Sequence, residues 1–198
     1  DAYIWLAKVQ KERGKYKEAL KTFDTGISYK EKDIEDPEKE VHPLDEMFLE
    51  LELLQFTEKT KGFVQKAQTL AMRSNHQSLE PEHMLKVMLD DETGLSQKVL
   101  RLADGDVDKL TSNVDAALAK IPAVSGSGAG QLRISTDLAK ILDNSVSLAE
   151  KAGDKFVTSE RVLQAMTMAK TAPIVDHLTS AGITPQKLNS AINEMRKG

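Results

Sequence analysis

The stretch FTEKTKGFVQKAQTLA, residues 56–71, decides the fold of this chain once it is laid against ISTDLAKILDNSVSLA, residues 134–149. The two are one segment written twice, 78 positions apart. Phe63, Val64, Ala67, Leu70 and Ala71 fall on Ile141, Leu142, Ser145, Leu148 and Ala149. In each copy these positions recur at i, i+1, i+4, i+7 and i+8, one face of an amphipathic helix. The same shift carries Glu82, Leu85 and Met88 onto Glu160, Leu163 and Met166. It also carries Lys109, Leu110, Ser112 and Val114 onto Lys187, Leu188, Ser190 and Ile192. An internal repeat sets the architecture, because an apolar stripe on one copy needs its twin to cover it.

Working outward, each copy reads as four helices. The first copy, 56–120, predicts helices over Thr57–Ser74, Pro81–Asp90, Leu95–Ala103 and Val107–Lys120. The second, 134–197, predicts them over Thr136–Ala152, Ser159–Ala169, Ala172–Ala181 and Pro185–Arg196. Pro81 and Pro185 suit a first helical turn, where a missing N–H is no loss, and Thr184 stands at a cap position. Between the copies, residues 121–133 hold Ser125-Gly126-Ser127-Gly128-Ala129-Gly130, the composition of a flexible surface linker. The expected class is all-α: an eight-helix, pseudo-twofold bundle over 56–198.

The front of the chain has a different character. Residues 1–55 carry 9 basic and 14 acidic side chains, more negative than the net −4 of the whole, so a boundary is expected near residue 55. Gly14, Tyr16, Ala19, Phe23 and Gly26 resemble the second half of a tetratricopeptide repeat, with Tyr3, Leu6 and Ala7 where its first helix keeps an aromatic, a leucine and a small residue. Residues 1–30 are thus expected to form a helical hairpin appended to the bundle. Residues 31–55 are read as a charged linker with Pro37 and Pro43, followed by a Leu-rich connecting segment.

Composition narrows the chemistry. Aromatics are sparse at 5% and helix formers dominate. A net charge of −4 gives no support to a nucleic-acid partner. The absence of cysteine removes disulfides, thiolate zinc sites and a cysteine nucleophile, and fits a cytoplasmic chain. No apolar run approaches the ~20 residues of a membrane span. The chain opens at Asp1 with no signal peptide in view, and the natural start is expected upstream. His76 and His83 are near in sequence, but no H-E-x-x-H is present, and they read as a loop residue and a second-helix residue. No catalytic set and no metal site are read. Gly126-x-Gly128-x-Gly130 lacks the spacing and lysine of a phosphate loop, and G-x-x-x-x-G-K-[ST] occurs nowhere.

The segments FTEKTKGFVQKAQTLA, EPEHMLKVMLDD and GDKFVTSERVLQAM, in duplicate around a Gly/Ser linker, resemble the N-terminal repeat domain of the Clp AAA+ unfoldases, with the ClpB-type disaggregases the nearest match. That resemblance implies a non-enzymatic domain that captures unfolded or aggregated polypeptides and docks adaptor proteins. In a full-length relative it would stand ahead of ATPase modules that use ATP and magnesium and assemble as a hexamer; no cofactor is implied for this chain. It implies a client-binding role for Thr57, Leu142, Asp154 and Glu160, gathered on one exposed patch. Arg161, counted with the same client-binding set, stands where relatives can carry leucine and is expected to make that patch more polar. Glu82 is the symmetric partner of Glu160 and marks a possible second site. Each has a plainer structural reading: Thr57 and Glu160 as helix-start residues, Asp154 as a turn residue, Leu142 as core. The alternative function is an adaptor or scaffold that joins tetratricopeptide and Clp-repeat binding modules.

Overall fold

The computed structural model describes residues 53–124, 132–170 and 172–197. The chain divides into two units, Asp1–Phe56 and Thr57–Gly198. The hairpin expected at 1–30, the linker from 31 to 52 and the Gly/Ser centre of 125–131 lie outside the described residues.

Eight helices occur among the described residues of the second unit. The first repeat holds α1 (Glu58–Arg73), α2 (Pro81–Leu89), α3 (Leu95–Leu102) and α4 (Val107–Leu118). The second holds α5 (Thr136–Lys151), α6 (Ser159–Met168), α7 (Ile174–Ser180) and α8 (Pro185–Lys197). The helices expected from periodicity and caps stand within about two residues of these bounds. The bundle is all-α apart from two short strands that hydrophobic patterning did not signal, β1 (Ser78–Leu79) and β2 (Arg133–Ile134). They pair in parallel, Ser78 beside Arg133 and Leu79 beside Ile134.

Local chemistry repeats with the sequence. The first helices are capped by Thr57 and Ser135, whose hydroxyls accept from Thr60 N–H (3.2 Å) and Leu138 N–H (3.1 Å). The fourth helices are capped by Asp106 and Thr184, which accept from Lys109 N–H (3.0 Å) and Lys187 N–H (3.3 Å). Each first and third helix ends in a left-handed residue, at Asn75, Asp104, Gly153 and Gly182. The two closing bonds of a Schellman turn follow each one; after α1 they are Asn75 N–H to Met72 O and His76 N–H to Ala71 O, both 3.0 Å.

The second helices are the centre of the core. Residues 81–85, 88 and 89 of α2 and 159 and 161–167 of α6 are buried, so both are enclosed on nearly every side. α1 packs on α2 and α5 on α6, while α3 packs on α8 and α4 on α7. The repeats therefore interleave. The backbone crosses between them at equivalent points: Ser135 N–H donates to Leu79 O (3.1 Å), and Thr57 N–H donates to Val157 O (3.0 Å). That exchange positions both candidate sites. No described helix is long and apolar enough to cross a membrane.

Candidate functional site

Two surfaces follow from the exchange, one at each crossing. At the second-repeat crossing, the Thr57–Val157 bond sets the opening of α1 beside the loop that carries Asp154 and leads to Glu160. Thr57, 97 positions before Asp154 in sequence, thus joins the stretch it was expected to join. Its hydroxyl is committed to the α1 cap and lies 2.8 Å from the Thr60 hydroxyl. Glu160 is half-buried in the first turn of α6, and its Oε2 accepts from the Ser159 hydroxyl (3.2 Å). Thr158 opens α6 with its hydroxyl buried and unpartnered.

Two expectations are corrected here. Leu142 is 0% exposed. It faces inward from α5 with Leu138, Ile141 and Ser145 and is core, not part of an exposed patch. Its equivalence to Val64, also buried, carried that information in the sequence. Arg161 is 5% exposed, so it does not make the surface more polar. Its Nε donates to Asp154 Oδ2 (2.7 Å) and its Nη1 to Gln164 Oε1 (2.9 Å). Arg196 of α8 grips the same carboxylate, Nη1 to Oδ1 at 2.8 Å and Nη2 to Oδ2 at 3.0 Å. Arg196, then Arg161, holds the Asp154 carboxyl below the usual carboxylate range. Asp154 is consequently a clasp between the α5–α6 loop, α6 and α8, with its charge offset by two guanidiniums. Beside it Phe156, unremarked in the sequence, is 45% exposed.

At the first-repeat crossing lies a cleft of about 650 Å³. It is walled by Pro81, Ala116, Ala117, Ile121, Pro122 and Pro173, with Glu80, Glu82 and Asp137 as its acids and Lys120 and His177 also on its lining. Glu82 is 7% exposed. Burial pushes its carboxyl above the usual value, and the Glu80 and Asp137 carboxylates add to the rise. His177 Nε2 is 3.7 Å from Glu82 Oε1. Burial lowers the His177 value, so the ring is no counter-ion at neutral pH. The cleft is an apolar cavity with an under-compensated carboxylate in its wall. The sequence marked Glu82 only through its equivalence to Glu160; the cleft itself needed α2, α4 and α7 brought together. Asp137 and Lys120 carried no signal.

Beneath each surface the loop is pinned to the second helix by equivalent side chains of different chemistry. In the second repeat the pin is Asp154–Arg161. Seventy-eight positions earlier stand His76 and His83, where His76 Nδ1 lies 2.8 Å from His83 Nε2. His83 Nδ1 accepts from the Glu80 N–H (3.0 Å). Neutral His83 therefore carries its proton on Nε2 and donates it to His76. Among the described residues no three His, Asp or Glu side chains gather as a metal site.

Comparison with known proteins supplies the family. Residues 55–181 match the model of the Clp repeat (R) N-terminal domain. The chaperone protein ClpB of Mesorhizobium japonicum is 47% identical over 148 residues, 75% of this chain and 17% of that protein. The chain thus spans about a sixth of the length of the curated relatives it matches. Among solved structures, the Hsp104 N-terminal domain from Candida albicans superimposes with a TM-score of 0.62 at 20% identity, over 72% of this chain and 91% of that one. A ClpV N-domain in complex with a VipB peptide superimposes with a TM-score of 0.56 at 20% identity, over 69% of this chain and 84% of that one. With a family model matching most of its length, the chain belongs to the Clp repeat (R) N-terminal domain family, and over 148 residues it is nearly half-identical to a ClpB chaperone.

Proposed function

We propose that this domain captures unfolded or aggregated polypeptides for a ClpB-type, ATP-dependent disaggregase, and that it contributes binding and no catalysis. The observation that carries the reading is the cleft of about 650 Å³ with Glu82 buried in its wall. An apolar cavity with a few polar groups is the general form of a recognition site. A buried carboxylate disfavoured by its surroundings gains most from a positively charged group of a client. Thr57, Asp154 and Glu160 mark the second, equivalent surface. The ClpV N-domain bound to a VipB peptide supports a peptide as the kind of partner such a fold takes. Adaptor proteins are further partners under this reading; nucleic acid and membrane are not.

Weak binding at two surfaces suits capture followed by release. In a hexamer formed by a full-length relative, linkage of several domains would raise effective concentration. ATP and magnesium would be bound by ATPase modules elsewhere in such a protein, in the cytoplasm, with no cofactor held by this domain. The test is binding to reduced, alkylated lysozyme, a permanently unfolded basic polypeptide, followed by fluorescence anisotropy. Wild-type chain is expected to bind, and Glu82→Gln to bind several-fold more weakly with no loss of thermal stability. No binding by the wild type overturns the reading.

A further inference from the structure

We propose that the first-repeat cleft selects a lysine side chain of the client over an arginine, with the ammonium set between Glu82 and Asp137 and the methylene stem laid along the aliphatic wall. The inference rests on the client-binding reading above and adds which basic side chain this cleft takes.

Glu82 sits in the first turn of α2 and lines the cleft while only 7% exposed. Its carboxylate accepts from its own backbone N–H, and burial outweighs that bond. Its one ion-pair contact among the described residues is the His177 ring, 3.7 Å away and neutral at pH 7. The side-chain charges that act on Glu82 are those of Glu80 and Asp137, both negative. Neighbouring cations do not answer them. The charge of Lys120 bears on His177 of α7, and Lys86 of α2 is bonded to Asp90 (3.1 Å) and Asp115 (2.9 Å). A cation brought in by a client therefore meets a carboxylate whose solvation has already been removed.

Geometry selects the kind of cation. A guanidinium binds best as a planar fork across both oxygens of one carboxylate, or stacked on an aromatic face. Glu82 does not offer that edge, because its own N–H takes one acceptor position and the side chain lies in the wall. No Phe, Tyr or Trp is among the described lining residues. The acids arrive instead from separate elements, Glu82 in the first turn of α2 and Asp137 in the first turn of α5, with Glu80 just ahead of α2. An ammonium, a compact charge with three rotatable donors, suits carboxylates that approach from different sides. Pro81, Ile121 and Pro122 give the cleft an aliphatic wall, along which a four-carbon stem is buried while its head reaches the acids.

Three forms of reduced, alkylated lysozyme are titrated by anisotropy against the whole chain: one with its lysines intact, one with them guanidinated and one with them acetylated. Guanidination keeps the charge and replaces the ammonium by a guanidinium; acetylation removes the charge. The guanidinated form is expected to bind several-fold more weakly than the intact one, and the acetylated form about tenfold more weakly. Glu82→Gln and Asp137→Asn are each expected to bind the intact and guanidinated forms alike. Asp137, half-buried at the opening of α5, serves as the second variant should Glu82→Gln lower the melting temperature. Equal or tighter binding of the guanidinated form by the wild type, or a discrimination that survives in Asp137→Asn, overturns the inference and leaves the client-binding reading standing. A wild-type chain that binds none of the three forms overturns both.

Discussion

At the residue scale, one position of the repeat carries opposite chemistries in its two copies. His76–His83 and Asp154–Arg161 make the same connection, one as a neutral donor–acceptor pair and one as an ion pair. They answer acid differently. Burial and the neighbouring His76 push His83 down to about 4, from an ordinary value of 6.5. The native state holds it neutral while the unfolded chain takes up a proton, so its contribution is present above pH 6.5 and is lost as pH falls toward 4. His76 and His177, also lowered by burial, act in the same direction, and Glu82, raised by burial, acts against them. Asp154, held below its ordinary 3.8, loses its contribution only in stronger acid. Urea unfolding between pH 7 and 4 is expected to show a stability loss of about 3 kcal/mol from His83. The double replacement His76→Asp/His83→Arg, which writes the second repeat's pin into the first, is expected to flatten that slope. An unchanged slope places the titration elsewhere. Leu142 gives a second residue-scale expectation. Its truncation to alanine opens a core cavity and costs about 2–5 kcal/mol in denaturant melts, a result that an exposed binding residue would not give.

At the element scale, the helix ends fix how the repeats meet. Gly105 and Ile183 are equivalent positions, and they face each other across the contact between the third-to-fourth helix turns. A Cβ on Gly105 would stand 2.7 and 2.8 Å from Ile183 side-chain carbons and 2.8 Å from Leu100 O. The backbone also closes there, with Asp106 N–H on Ala181 O at 2.9 Å. Gly105→Ala is expected to destabilise by about 1–3 kcal/mol, since the Leu100 carbonyl cannot yield as a side chain can. Trimming Ile183 to valine in the same chain is expected to restore only part of the loss, and a neutral Gly105→Ala in thermal melts would show that the turns give way freely. The eight helices were legible because caps, first-turn prolines and 3.6-residue periodicity are local. β1 and β2 were not, because two-residue strands carry no periodicity and exist only where a partner backbone arrives.

At the scale of the whole molecule, the interleaving of α3 with α8 and α4 with α7 makes neither repeat complete alone. Residues 53–198 produced by themselves are expected to unfold in one cooperative transition, with calorimetric and van't Hoff enthalpies in agreement. Separate transitions for the two repeats, or a molten product, would argue against that interdependence. The sequence by itself determined the all-α class, the duplication, the helix bounds and the family resemblance, because periodicity and spacing are written along one chain. It also drew Thr57, Asp154, Glu160 and Glu82 out for attention. Which side chains reach solvent was decided only by the tertiary structure. Leu142 and Arg161 went inward, Asp154 was clasped by two arginines, Phe156 was left outside, and Glu82 came to line a cleft shared by both repeats. Burial and charge pairing depend on what the other repeat brings to the same place, and the order of residues along a helix does not contain that.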